Sequence, residues 1–586
     1  MSLIQSKSIL KSISSPVFWF GLFLVFFSFY NYSGREETQA IRSDMRGYYS
    51  YLPAILSHND PSFQKCLEAE AQYLQEKKNQ NYLVKTENGG VHNKYFPGVA
   101  LLQSPFYAMA TAISWMTGIP TDGYSATYQL FLQIGATFYA ILGLLLFYSL
   151  LKNLFPEQKT LIRWLLPVLY LATPLFHYSV NTLSFSHSYS FFLFGLFSWF
   201  IIKMRKEVYK WYFFGLGLTL GMIVLVRPTN LIIILIIPFL LVNTAGLRVF
   251  WRQLFKNRAQ NFIYGTAGVL LIIFNLFLIW KWESGSWLIW SYGGEGFTFL
   301  SPHIIASLFS FRVGLFLHTP VLILSIVGLV YLYKSNKFQA FWWALYFIVN
   351  CWVISSWWAW DYESAFGNRP YTEHLIFILL PLFTLLQQRK VWSYSFIGLF
   401  FIVGLIRIST FNSGFMVNQK FTRKNYFMSL AFWKDANFDR WAYPKSCRPF
   451  GVRTRGLVLR EQKGELQINP NDIFNLSGKA TLPLPRTTER LYFRVVLDKM
   501  TTEAPLEDVL LVLDARNEKT GASYYRALPL HNDRLEGVNE WAHVEFESLI
   551  PDNLQTFSRI NIYIWNKGGK QFKIKNFKIV LEEYKS

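Results

Sequence analysis

Charge is scarce in this chain, and cysteine scarcer. Only 16% of the 586 residues are Asp, Glu, Lys or Arg, and only three are cysteine. Soluble domains carry about 25% charged residues, so the shortage argues against a fully solvated surface. Cys66, Cys351 and Cys447 stand at no zinc-ligand spacing, which excludes a zinc ribbon and a dense disulfide scaffold. No small-x-small cleavage site follows the first apolar run, so that run reads as a membrane helix and not a signal peptide. No internal repeat is visible, unlike many transporters. Acids lag bases, 36 against 57, for a formal net charge of +21.

In place of charge the chain has apolar blocks. It is 52% hydrophobic and 19% aromatic. The apolar residues fall in runs of about 15 to 25, long enough for a hydrocarbon core. Eleven spans are expected, at 17–31, 125–150, 161–178, 185–203, 211–226, 231–243, 262–282, 314–333, 338–357, 374–387 and 391–411. The pair 211–226 and 231–243 is split by "RPTN". Lysine and arginine concentrate in one set of short loops, such as "KMRKEVYK" and "NTAGLRVFWRQLFKNRAQN". The short loops of the other set hold Arg227, Arg312 and Arg369. That asymmetry puts the N-terminus in the cytoplasm and both 32–124 and the region after the last span outside. Much of the positive charge is then topology signal and surface charge, with no nucleic acid implied. Cys66 and Cys447 would both face outside, where a disulfide between them could form.

The outside segments are unlike one another. The first, 32–124, is too long for a connector. It holds "IRSDMRGYYSYLPAIL", a polar helical stretch, and an apolar run from Leu101 to Met116 that reads as an interfacial helix. Segment 283–313 is crowded with Trp, Tyr and Phe, as expected at headgroup depth. Segment 357–374 reads "WWAWDYESAFGNRPYTEH". From 412 to 586 short alternating runs such as "LYFRVVLDKM", "VLLVLDAR" and "INIYIWNK" predict an all-β sandwich. Its end resembles the last strands of jelly-roll carbohydrate-binding modules; a structural β-domain without ligand fits equally. The expected architecture is thus a polytopic α-helical membrane domain, 1–411, followed by a β-sandwich, 412–586.

The unusual polar residues gather on the expected outside face. At helical spacing Asp44, Tyr48, Leu52 and Ile55 share one face. Asp44 is either an N-cap or a carboxylate at the mouth of a membrane cavity, able to take a proton from a hydroxyl. Lys94, in "NKYFPG", either snorkels or holds a lipid phosphate. Asp361, Glu363, Arg369 and Glu373 lie between two spans; Arg369 could grip phosphate with two parallel hydrogen bonds or pair with a glutamate. His187 and Arg227 stand at span ends, where ionisable groups either mark a site or reach water. His318, in "GLFLHTP", could mark only a helix break at Pro320.

The order of parts resembles the GT-C superfamily of membrane glycosyltransferases, in the group of protein O-mannosyltransferases and the lipid A aminoarabinose transferase. "SDMRGYYSYLPAIL" matches the early acidic position of that family's first outside loop, and "NKYFPGVALLQSPFY" the later lysine with prolines and an aromatic. The likeness covers roughly 15–411. It departs in having no glutamate after Asp44 and no prolines directly after Lys94. "RPTN", "GLFLHTP" and "WDYESAFGNRP" look more like a bacterial subgroup with a C-terminal β-domain.

The resemblance implies an inverting transfer in a bacterial inner membrane, from a sugar on polyprenyl (undecaprenyl) phosphate to an extracytoplasmic acceptor. Asp44 would be the general base, and Lys94 and Arg369 would bind the lipid phosphate. Asp361 or Glu363 would orient sugar or acceptor, with Tyr48, His187 and Arg227 as further contacts. No metal or other cofactor is expected, although Asp361 and Glu363 could join Asp44 around a divalent cation. The rival readings are a lipid-linked glycan polymerase or ligase, a flippase or transporter, and a glycan-binding scaffold.

Overall fold

Apolar runs in this chain become helices, and prolines set where those helices break. The computed structural model describes residues 15–33, 40–41, 44–73, 82–85, 91–181, 185–205, 209–256, 258–292, 295–362, 366–412, 423, 426–427, 430, 452–480, 489–501, 506, 509–516, 523–530, 541–549 and 559–585. The chain divides into two compact units, Met1–Ile408 and Ser409–Ser586.

The first unit is mostly helical. Among the described residues, four helices are long and apolar enough to cross a bilayer: Ala126–Leu154, Ala259–Ser284, Lys337–Ser355 and Val391–Ser409. Two bent pairs would raise this to six, Pro156–Leu171 with Pro174–Val180 (70°) and Pro228–Leu240 with Thr244–Arg252 (111°). Shorter apolar helices lie at Pro16–Tyr30, Lys210–Val226, Leu322–Ser335 and Leu375–Gln387. Every expected span is therefore helical over much of its length, but several are broken. Proline explains several of the breaks, because it lacks the amide proton that continues a helix; the 111° break at 241–243 has no proline and instead holds Val242 at φ 74°. Pro174 opens a new turn inside 161–178, Pro228 opens a 3-10 stretch to Ile236, and Pro320 separates Leu315–His318 from Leu322–Ser335.

The long segment between the first two apolar runs is ordered by its own short elements. Helix Asp44–Leu52 runs into a π-turn, Pro53–His58, and helix Gln64–Tyr73 follows. Strands β1 (Leu83–Lys85) and β2 (Val91–Asn93) pair as an antiparallel hairpin, and helix Gly98–Thr117 closes the segment. Tyr48 and Leu52 are buried, whereas Ile55 is exposed. The expected shared face thus ends with the regular helix at Leu52, where Pro53 takes over. Cys66 is buried within this region, and burial pushes its thiol up to about 12. Cys447, its expected disulfide partner, lies outside the described residues.

The second unit is built of antiparallel strands. One sheet has the order β5-β10-β7-β8, with β5 Phe474–Ala480, β7 Val509–Arg516, β8 Ser523–Pro529 and β10 Arg559–Asn566. The other runs β3-β11-β6-β9, with β3 Val452–Gln462, β6 Glu489–Thr501, β9 Trp541–Leu549 and β11 Phe572–Lys585. A short β4, Leu466–Ile468, also pairs with β11. Alternation along β6, β7 and β10 sends one set of side chains inward. Phe493, Val495 and Leu497 of β6 meet Leu511 and Leu513 of β7, Ile562 and Ile564 of β10, and Ile574 and Ile579 of β11 in one core.

Candidate functional site

Helix Asp44–Leu52 begins with an acid whose two oxygens are taken by residues far along the chain. Asp44 Oδ1 accepts from the Tyr95 hydroxyl at 3.0 Å, and Oδ2 pairs with Arg369 Nη2 at 3.0 Å. The pair is not sealed off: Asp44 and Arg369 keep 20% and 17% of their side chains exposed. The Arg369 guanidinium stacks on Phe185, 4.3 Å from the ring centre, and lies 5.6 Å from that of Tyr362. Such stacking orients a planar cation, which a lysine could not reproduce.

Tyr95 is aimed by local structure. Asn93 Oδ1 accepts from the Tyr95 amide at 3.0 Å, while Asn93 Nδ2 donates to the Gly47 carbonyl at 2.7 Å and Ser50 Oγ at 3.1 Å. The Tyr51 hydroxyl holds the Tyr95 carbonyl at 2.6 Å. Gly47 is required here, because a Cβ at that position would overlap the Tyr95 ring. Burial pushes the Tyr95 hydroxyl well above its ordinary value, and the Asp44 charge pushes the same way. Tyr95 therefore stays protonated as a donor. Tyr48, whose ring centre lies 4.6 Å from that of Tyr95, is raised by the same two causes in the same order. Burial works against the Arg369 charge, and Asp44 with Tyr178 and Tyr95 more than restores it.

A second cluster forms around Glu373, which is fully buried. Its Oε2 lies 2.6 Å from His187 Nδ1, and its Oε1 lies 3.2 Å from Arg227 Nη1 and 3.4 Å from Asn230 Nδ2. Arg227 ends helix Lys210–Val226, His187 starts helix His187–Met204, and Asn230 sits in the 3-10 stretch that Pro228 opens. The two clusters adjoin. The Tyr48 hydroxyl donates to Ser186 Oγ at 3.5 Å, next to His187. Tyr362 lies against Arg369 and lines a crevice together with Arg227.

The structure thus brings together Asp44, Tyr48, His187, Arg227 and Arg369. Lys94 adjoins them through Tyr95, with its ammonium 5.6 Å from that ring centre, and pairs with Glu295 at 3.0 Å. Asp361 pairs with Arg312. Glu363 lies outside the described residues. His318 Nε2 bonds to the Phe311 carbonyl at 3.0 Å. Among the described residues no three His, Cys, Asp or Glu side chains gather as metal ligands.

Several contributors escaped sequence reasoning. Tyr95, Asn93, Asn230, Glu295 and Arg312 are ordinary polar residues in the sequence, and only their partners make them notable. Glu373 was visible as a loop acid and a possible partner for Arg369. The structure gives Arg369 to Asp44 and Glu373 to Arg227 and His187. Chemically, the arrangement offers a partly open carboxylate able to accept a proton, beside two guanidinium groups and an ammonium able to neutralise an oxyanion.

No protein-family profile matches the chain, and no curated protein matches it. A solved structure of the arabinosyltransferase EmbB from Mycobacterium smegmatis aligns with 12% identity and a TM-score of 0.31. The alignment covers 91% of this chain and 63% of that one, so this chain spans under two thirds of that protein's length. At that TM-score the likeness does not establish a shared fold.

Proposed function

We propose that the chain is a membrane glycosyltransferase that moves a sugar from a polyprenyl-phosphate carrier to an extracytoplasmic hydroxyl. The observation that carries this reading is the partly exposed Asp44 carboxylate, bracketed by Tyr95 and Arg369 at the start of the helix in the first long outside segment. Asp44 removes the proton from the acceptor hydroxyl. The hydroxyl oxygen attacks the anomeric carbon opposite the phosphate, and the bond from that carbon to the phosphate oxygen breaks. One displacement inverts the configuration. Arg369 and Lys94 take the lipid phosphate and stabilise the charge it gains on leaving. His187, Arg227, Tyr48, Asp361 and Glu363 contact sugar or acceptor.

In this reading the apolar helices form about eleven spans of a bacterial inner membrane, with the N-terminus cytoplasmic and the β-sandwich outside. The carrier is undecaprenyl phosphate. The test follows transfer from membrane-extracted lipid-linked sugars to extracytoplasmic acceptors by mass spectrometry, with purified wild type and Asp44→Asn. Asparagine keeps the shape but cannot accept the proton, so the variant should lose roughly 10²- to 10⁴-fold in rate while still binding lipid. Equal transfer by the variant would remove Asp44 from the chemistry.

A further inference from the structure

Arg227 has one edge accounted for and another exposed. Its Nη1 is tied to Glu373, yet 19% of its side chain stays exposed. With Thr229, Asn230, Phe297, Tyr362 and His374 it lines a crevice. A guanidinium carries five N–H donors in one plane, so pinning one edge fixes the direction of the other. The pin is a firm one. Glu373 is 0% exposed and receives hydrogen bonds from Arg227, His187 and Asn230, which come from separate helical segments. Asn230 is itself held by Ser190 Oγ at 3.2 Å. A buried carboxylate with that set of donors has no solvent to turn to, and leaving them would strand its charge.

We infer that Arg227 is an oxyanion-binding group of this crevice and that Glu373 is the positioning residue that aims it. The inference rests on the glycosyltransferase reading for the nature of the ligand; it replaces the general sugar or acceptor contact of Arg227 with binding of an anionic group, and it assigns different tasks to the two arginines. Arg369 is paired with Asp44, the group that takes the acceptor's proton. Before that proton moves, the Asp44 charge occupies Arg369; afterwards Arg369 is released to meet the charge developing on the leaving phosphate. Arg227 is paired with a carboxylate that does not take part, so its free edge is available from the start. Arg227 therefore serves ground-state binding, and Arg369 serves the transition state. The oxyanion has two possible sources with the same chemistry, the phosphate of the lipid carrier or the carboxylate of an acidic sugar.

The test measures equilibrium binding of farnesyl phosphate, farnesol and methyl glucuronide to the full-length protein in detergent. Wild type is compared with Arg227→Lys, Glu373→Gln and Arg369→Lys, each checked by its melting temperature. Arg227→Lys and Glu373→Gln should each weaken farnesyl phosphate binding roughly tenfold, leave farnesol unchanged, and exceed the effect of Arg369→Lys. Loss confined to methyl glucuronide supports the inference with the sugar's carboxylate as the ligand. Where Glu373→Gln does not fold, Arg227→Lys carries the test, since it keeps a cation beside Glu373. Wild-type affinity for both anions in Arg227→Lys overturns the inference, as does absence of binding of either anion to wild type. The lipid-phosphate reading fails separately if wild type binds farnesyl phosphate no better than farnesol, even where glucuronide binding depends on Arg227.

Discussion

The two acid–arginine pairs of the site differ in what surrounds them. Asp44 and Arg369 meet where both remain partly exposed, with a tyrosine on one side and a stacked phenylalanine on the other. Glu373 and Arg227 meet where the carboxylate is wholly buried and a histidine and an asparagine complete its bonding. Exposed pairs contribute about 0–1 kcal/mol to stability and exchange partners easily. Buried pairs resist exchange, because removing one partner strands the other charge. Under the proposed function reactivity belongs to the Asp44 pair, and the burial of Glu373 gives its cluster rigidity.

The sharpest way to break this comparison is to neutralise each acid in turn. Glu373→Gln should lower stability by about 3–5 kcal/mol, seen as a large drop in melting temperature in detergent. Asp44→Asn should cost less in the same assay, because both partners of its pair reach solvent, while abolishing most transfer. Equal destabilisation by the two substitutions would show that both carboxylates are structural.

A steric substitution probes the Asp44 side alone. Gly47→Ala places a methyl group in the space of the Tyr95 ring. The ring must move, and with it the hydroxyl that brackets Asp44. A displacement of about 1 Å at a reacting group costs on the order of 10²-fold in rate. The Glu373 cluster should be untouched, so oxyanion binding through Arg227 should stay at the wild-type level. A parallel loss of binding would mean that the two clusters move as one body.

How much of this was legible in the sequence depends on whether a residue's role is local. Asp44, Arg227 and His187 stood out because ionisable side chains at the margins of apolar runs are conspicuous. The strands were readable from their alternation: in "RINIYIWN" isoleucine takes every second position at 560, 562 and 564, and Ile562 and Ile564 do face the core. Partners were not readable. Nothing near Arg369 in sequence points to Asp44, and nothing near Glu373 points to His187, because these pairs form only when distant helix ends meet. The strand order β5-β10-β7-β8 was hidden likewise, since its neighbours are set by the packed core and not by adjacency in the chain. The bend of 70° inside 161–178 was missed because the apolar pattern continues unbroken through Pro174.

The smallest expected effect separates bracketing from proton transfer. Tyr95→Phe removes the hydroxyl that donates to Asp44 Oδ1 but keeps the ring that packs on Tyr48. Asp44 retains Arg369, so its charge is not stranded. Losing one such hydrogen bond to a charged acceptor costs about 1.5–3 kcal/mol, or roughly 10- to 100-fold in rate. Asp44→Asn, by contrast, removes the proton acceptor itself. If Tyr95→Phe slows transfer as much as Asp44→Asn does, the phenol carries the proton. If the loss stays nearer tenfold, Tyr95 orients the carboxylate, and the Asp44–Arg369 pair is what the chemistry depends on.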